Sequence, residues 1–155
     1  NFKMAINEFN KVIKTNPTNE IAYFHIGRSF YKYALRLKEE GRHSLAGQAL
    51  VESNRAYQSA FKLKPTFDKA AYSIGYNYHQ MHQYQKAAEW YQKCIDANAD
   101  FSRAYFSLGI AHKAAGDSTK AAKAFCEFVK LKPKELADDI STAQSMIKSL
   151  GGCPK

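Results

Sequence analysis

The chain has 155 residues, enough for one domain with a core of its own. Lys and Arg number 23 against 14 Asp and Glu, a net charge of +9 that favours acidic partners: an acidic protein segment, nucleic acid or an anionic membrane surface. Four Pro and eight Gly leave little room for disordered linker, and no apolar run approaches the roughly 18 to 20 residues of a membrane-spanning helix.

In chain order, Phe2, Ile6, Phe9 and Ile13 recur at helical spacing before Pro17. Residues 1–19 therefore read as a lone helix, half of a two-helix unit, with an apolar stripe that a half unit cannot bury on both sides. Either further units precede it in the natural protein, which is the favoured reading, or this edge self-associates with a second copy. A full unit, 20–67, opens with Tyr23-Phe24-His25-Ile26-Gly27-Arg28-Ser29-Phe30. The pattern returns as Ala71-Tyr72-Ser73-Ile74-Gly75-Tyr76-Asn77-Tyr78 and as Tyr105-Phe106-Ser107-Leu108-Gly109-Ile110-Ala111-His112. Gly75 and Gly109 are 34 residues apart, as are Ala87 and Ala121, and Tyr91 and Phe125. Two regular units follow, 68–101 and 102–135.

The first unit is longer. Gly27 precedes Gly75 by 48 residues, and Gly41 follows Gly27 by 14, where the turn residue Gly116 follows Gly109 by seven. Each helix of that unit gains seven residues, about 10 Å of length. A projecting hairpin is predicted, with Gly41-Arg42-His43 at its tip and Leu35, Leu45, Ala46 and Ala49 zipping it together. Residues 135–150 place Leu136, Ile140, Ala143, Ile147 and Leu150 at heptad-like spacing and read as a capping helix. Gly151-Gly152 ends that helix and leaves a tail, 151–155.

This pattern resembles the tetratricopeptide-repeat family, which has a 34-residue period, an apolar–Gly pair, paired small residues, aromatics between them and a closing Pro. Tyr105, Leu108, Gly109, Gly116, Ala121, Phe125 and Pro133 carry it in the last unit; Ile74, Gly75, Tyr78, Tyr84, Ala87 and Tyr91 carry it in the middle one. His112, Phe128, Cys94 and Ala99 depart from it. The resemblance implies an all-α fold: a right-handed superhelical array of antiparallel helix pairs, about eight helices with one elongated pair. It further implies a concave groove made by the first helix of each pair. Carried over by position, the first repeat gives that groove Phe24, Arg28, Tyr31 and Lys32. The second gives Lys69, Tyr72, Tyr76 and His79, and the third Arg103, Phe106, Ile110 and Lys113.

A basic, aromatic-lined groove suits an extended or helical protein segment that is acidic or carries aromatics. The expected function is thus a protein–protein interaction scaffold, with RNA binding as the alternative on the strength of the charge and the groove aromatics. One subfamily clamps the acidic tails of heat-shock chaperones. Phe24, Arg28, Ser73 and Ser107 stand where its clamp residues would be, and Arg103 alone agrees, so that mechanism is not implied.

No catalytic constellation is visible, and neither enzyme activity nor a cofactor is expected. His79 and His82 lie three apart but lack a third ligand, so no metal site is expected. Cys94, Cys126 and Cys153 form no CxxC pair, which argues against a zinc site or a disulfide framework. Cys94 and Cys126 are expected as small buried residues and Cys153 as a free thiol. Unpaired cysteines favour a reducing, cytoplasmic compartment.

Overall fold

The computed structural model describes residues 2–131 and 133–154. Asn1, the expected start of the half unit, Lys132 in the third repeat and Lys155 in the tail lie outside them. The described residues form α1 (Phe2–Thr15), α2 (Glu20–Glu39), α3 (His43–Leu63), α4 (Asp68–Gln80), α5 (Tyr84–Ala97), α6 (Ser102–Ala114), α7 (Ser118–Leu131) and α8 (Ala137–Ser149), with a short 3-10 turn before α8 and no strand. Helices α2 and α3, α4 and α5, and α6 and α7 pack as pairs, and each pair docks on its sequence neighbours. The fold is the all-α solenoid that the repeat implies.

Local chemistry sets the helix starts. Asn19 caps α2, its Oδ1 accepting from the Ala22 N–H at 2.9 Å. Asp117 does the same at α7, accepting from the Lys120 N–H at 3.0 Å. Each pair then closes around a glycine. A Cβ on Gly27 would lie 2.6 Å from the Tyr57 ring, one on Gly75 2.8 Å from Tyr91 and one on Gly109 2.6 Å from Phe125. The bare backbone of the first helix is the seat for the aromatic ring of the second. Ala60, Ala87 and Ala121, all fully buried, let the helices close around it.

Helix α2 has 20 residues and α3 has 21, against 13 or 14 in α4 to α7. Gly41 turns the tip in the left-handed region at φ +73°. Ala46 and Ala49 zip the extension as expected, together with Ala34, Leu37 and Leu50. Leu35 and Leu45 do not: they remain 38% and 40% exposed. Leu35 lies two residues from the fully buried Leu37, about 200° around the helix, so both cannot face α3. The extension also does not project freely. Met81 packs against its core, and Lys38 Nζ donates to Gln80 Oε1 at 2.8 Å, so the α4–α5 turn supports it.

The apolar stripe of α1 is likewise used within the chain. Phe2 stacks on Tyr33 with ring centroids 3.9 Å apart and Phe9 on His25 at 4.9 Å, while Ile6 and Ile13 are half-buried. The stripe docks on α2 yet none of its residues is fully buried, and Met4 and Val12 are the large apolar residues that α1 leaves exposed.

The cysteines depart further from expectation. Cys126 on α7 is disulfide-bonded to Cys153, with Cα atoms 6.0 Å apart, and Cys94 alone is free and buried. Consecutive positive φ values at Gly151 and Gly152 fold the tail back, and the Gly152 N–H donates to the Ile147 carbonyl at 2.9 Å. Linear spacing carries no trace of that reversal, and the inference of a reducing compartment from unpaired thiols loses its premise.

Gly109→Ala should cost roughly 1–3 kcal/mol in chemical denaturation, because its methyl group must displace a ring that is itself fully buried. Gly47→Ala, also within a helix but with open space around the new methyl, should instead stabilise by about 0.5–1 kcal/mol. Equal effects at the two sites would refute the ring-seat account.

Candidate partner-binding groove

The first helices of the three pairs set the candidate site. Of the groove positions expected from sequence, Tyr31 from α2, Tyr72 and Tyr76 from α4 and Arg103 from α6 come together around a cavity of about 290 Å³. Tyr57 from α3 and Ser73 and Asn77 from α4 complete its lining. Tyr31 and Tyr76 meet edge to face at 5.9 Å. Tyr76 also borders a second cavity of about 190 Å³, with His79, Gln80, Tyr91, Phe106, Ser107 and Ile110. The hydroxyls of Tyr72 and Ser107 are hydrogen-bonded at 3.1 Å, joining α4 to α6 between the two cavities.

Three expected groove aromatics are structural. Phe24 packs on Tyr57 at 5.2 Å and Phe67 at 4.9 Å, and Tyr72 on Tyr91 at 5.4 Å and Phe101 at 5.2 Å. Phe106 packs on Phe125 at 5.7 Å and Phe128 at 5.2 Å. Phe24 and Tyr72 thus fill the joint to the next pair, through Phe67 and Phe101, while both ring partners of Phe106 lie on α7 within its own pair. Tyr72 still borders the first cavity and Phe106 the second, but Phe24 borders neither. Arg28, Lys32 and Lys69 are exposed on the same helices and line neither cavity. Lys113 is drawn towards the cap, its Nζ donating to Met146 Sδ at 2.9 Å.

The first cavity is rich in donors. Burial pushes the Tyr31 and Tyr57 phenols up to about 12 and raises Tyr72, so all three keep their protons at neutral pH. The Arg28 charge acts on Tyr57 and the Arg103 charge on Tyr72, each opposing that rise, so positive potential reaches the cavity from both sides. No carboxylate lines either cavity. Beneath lies a buried polar layer: Asn77 Nδ2 donates to Ser53 Oγ and to Asn54 Oδ1, both at 2.9 Å, and Ser53 Oγ donates to the Gly27 carbonyl at 2.8 Å. Asn54 Nδ2 is buried without a partner among the described residues.

A larger depression of about 770 Å³ lies between α5, α6 and α7, lined by residues of both signs, among them Glu89, Lys93, Asp117 and Lys120. It lacks aromatics and belongs to a different face from the tyrosine cavities. Tyr57 and Asn77 were not among the expected site residues. Tyr57 fills in repeat one the slot of Tyr91 and Phe125 once the 14 inserted residues are allowed for, so its signal was present in the spacing. Asn77 gives only a faint periodic signal: Ser29 holds its place in the first repeat and Ala111 in the third.

A stack of antiparallel helix pairs, each closed by a glycine under an aromatic ring and lining one continuous face, defines a helical-repeat protein. The tetratricopeptide-repeat family model matches residues 68–101 and 102–135, the two regular pairs. Over residues 68–135 the chain is a tetratricopeptide-repeat protein. Among solved structures, MamA is similar at 20% identity and a TM-score of 0.68, over 96% of this chain and 88% of that one. The Yersinia enterocolitica type III secretion chaperone SycD, in complex with a peptide of the translocator YopD, matches at 15% identity and a TM-score of 0.64, over 79% of this chain and 90% of that one. The first such domain of Spaghetti (RPAP3), bound to the HSP90 peptide SRMEEVD, matches at 18% identity and a TM-score of 0.59, over 79% and 96% respectively. At these identities the likeness concerns the fold.

Asn77→Ala should destabilise by roughly 2–4 kcal/mol in chemical denaturation, since it strands the buried Ser53 and Asn54 groups, whereas Tyr76→Ala, at an exposed position, should cost under about 1 kcal/mol. Burial also holds His79 below the usual imidazole value, reinforced by the His82 charge, and burial likewise lowers His112. The unfolded chain then takes up these protons first, so stability present above about pH 6.5 is lost as pH falls through that value towards the lowered folded ones. The His79→Gln, His112→Gln double variant should show a shallower loss of stability between pH 7 and pH 5; an unchanged slope would place the acid sensitivity elsewhere.

Proposed function

We propose that the chain is a protein-interaction scaffold that holds an extended, acidic segment of a partner along the face of α2, α4 and α6. The observation that carries this reading is the cavity shared by Tyr31, Tyr57, Tyr72, Tyr76 and Arg103, whose phenols and guanidinium bring donors to a lining with no carboxylate. A carboxylate is an acceptor only, so it satisfies several such donors at once and meets positive charge on both flanks. Rigid tyrosines add contact area at low entropic cost. The exposed Arg28, Lys32 and Lys69 extend the basic character beyond the cavity and steer an acidic segment towards it. Two fold neighbours, SycD and the Spaghetti domain, were solved with peptides bound, which supports a peptide as the ligand class. RNA binding remains the competing reading, on the net charge of +9.

The test is fluorescence polarisation with an acidic, tyrosine-containing peptide, its neutral counterpart and a single-stranded RNA, each at two salt concentrations. The acidic peptide should bind in preference. The Arg28→Glu, Arg103→Glu variant should weaken it by about 10- to 100-fold, the loss of one or two charge-assisted hydrogen bonds. Binding of RNA alone, with a steep fall as salt rises, would transfer the groove to nucleic acid.

A further inference from the structure

Helix α8 stands at the end of the stack, against α7, and is held there lightly. Ala143 is its one buried residue; Ile140, Met146, Ile147 and Leu150 are half-buried against Phe125 and Phe128. It nevertheless touches the groove, because Met146 receives Lys113 Nζ and the same apolar cluster includes Phe106 and Ile110. What fixes α8 from its far side is covalent. The chain leaves α8, reverses at Gly151 and Gly152, and bonds Cys153 back to Cys126 on α7, closing a span of 27 residues that contains the whole helix. The two cysteine residues differ in access: Cys126 is 5% exposed, whereas Cys153 lies exposed at the surface.

We infer that the Cys126–Cys153 bond is a redox latch on the cap helix, through which a dithiol reductant controls the third-repeat end of the groove. The thiolate of the reductant attacks Cys153 Sγ, forming a mixed disulfide as the Cys126–Cys153 bond breaks, and Cys126 leaves as a thiolate that takes up a proton. The second thiol of the reductant then attacks the mixed disulfide, closes the reductant's own disulfide and releases Cys153 as a thiol. Two electrons and two protons pass from the dithiol to the protein. Freed of its tether, α8 opens and Lys113, Phe106 and Ile110 lose their support. The free Cys94 takes no part, being buried in another cluster. The consequence for binding rests on the groove reading above; the latch itself is read without any ligand.

The experiment is hydrogen–deuterium exchange on the full chain, oxidised and in dithiothreitol, for the wild type and for Cys153→Ser. Cys153 is exposed in the tail, so the serine variant keeps the packed core intact. Reduction should speed exchange in residues 137–149 by about a hundredfold, the effect of releasing a 27-residue loop. Residues 68–97 should be unchanged. Cys153→Ser should show the open profile without dithiothreitol and no further response to it. The acidic peptide should bind the reduced chain at least fivefold more weakly. Unchanged exchange in α8 overturns the latch, as does acceleration spread evenly over all helices, which marks a general staple. Opening of α8 with unaltered peptide affinity overturns its control of the groove. If the oxidised chain fails to bind the peptide, the groove reading falls and the exchange data alone decide the latch.

Discussion

The structure depends on one contact repeated three times: an aromatic ring of a second helix laid against the bare backbone of a first. Gly27 under Tyr57, Gly75 under Tyr91 and Gly109 under Phe125 fix the spacing within each pair, because no side chain fits between ring and backbone. The ring, once seated, presents its outer edge to a second aromatic on the first helix: Phe24, Tyr72 or Phe106. In the first two pairs that residue in turn meets Phe67 or Phe101 at the next joint, whereas Phe106 meets Phe128 on α7. Spacing within a pair therefore passes directly into stacking between pairs, as expected where each unit contacts only its neighbours.

The long pair shows how far this contact constrains the rest. Fourteen residues separate the first repeat from the regular period, yet Gly27 and Tyr57 remain opposed. This is possible because the insertion is shared equally between α2 and α3, which moves the turn outward without shifting one helix along the other. The surplus turns build a small core of their own from Ala34, Leu37, Ala46, Ala49 and Leu50 and come to rest on Met81.

Much of this was legible in the sequence, for a definite reason. Glycines and aromatics at fixed spacing are direct traces of the ring-on-backbone contact, so Gly75, Gly109, Tyr91 and Phe125 revealed the fold, and Gly41 revealed the long pair. What was lost concerns direction around a helix and reversals of the chain. Leu35 and Leu37 are two residues apart and equally apolar, and only the docked position of α3 decides that Leu37 is inside. Phe24 and Tyr31 lie on one helix and are both aromatic, but the next pair covers the first and leaves the second at a cavity. The Cys126–Cys153 bond depends on a backbone reversal at Gly151 and Gly152 that no periodicity encodes.

The polar layer beneath the tyrosines connects the architecture to the site. A solenoid joint filled only with apolar groups could slide by small steps at little cost, since dispersion contacts are weakly directional. Asn77 cannot slide: its amide must meet Ser53 and Asn54 together, and Ser53 is in turn committed to the Gly27 carbonyl. Buried polar groups left unpaired are costly, so this layer admits one register between the long pair and the first regular one. Tyr31 and Tyr76 stand on either side of that joint, on α2 and α4, and their edge-to-face contact inherits the same register. The floor of the cavity is thereby fixed before any partner arrives. On the proposed reading, a segment bound there would not spend interaction energy on ordering the protein, and a modest cavity of about 290 Å³ would discriminate by the placement of its donors, with its size a secondary matter.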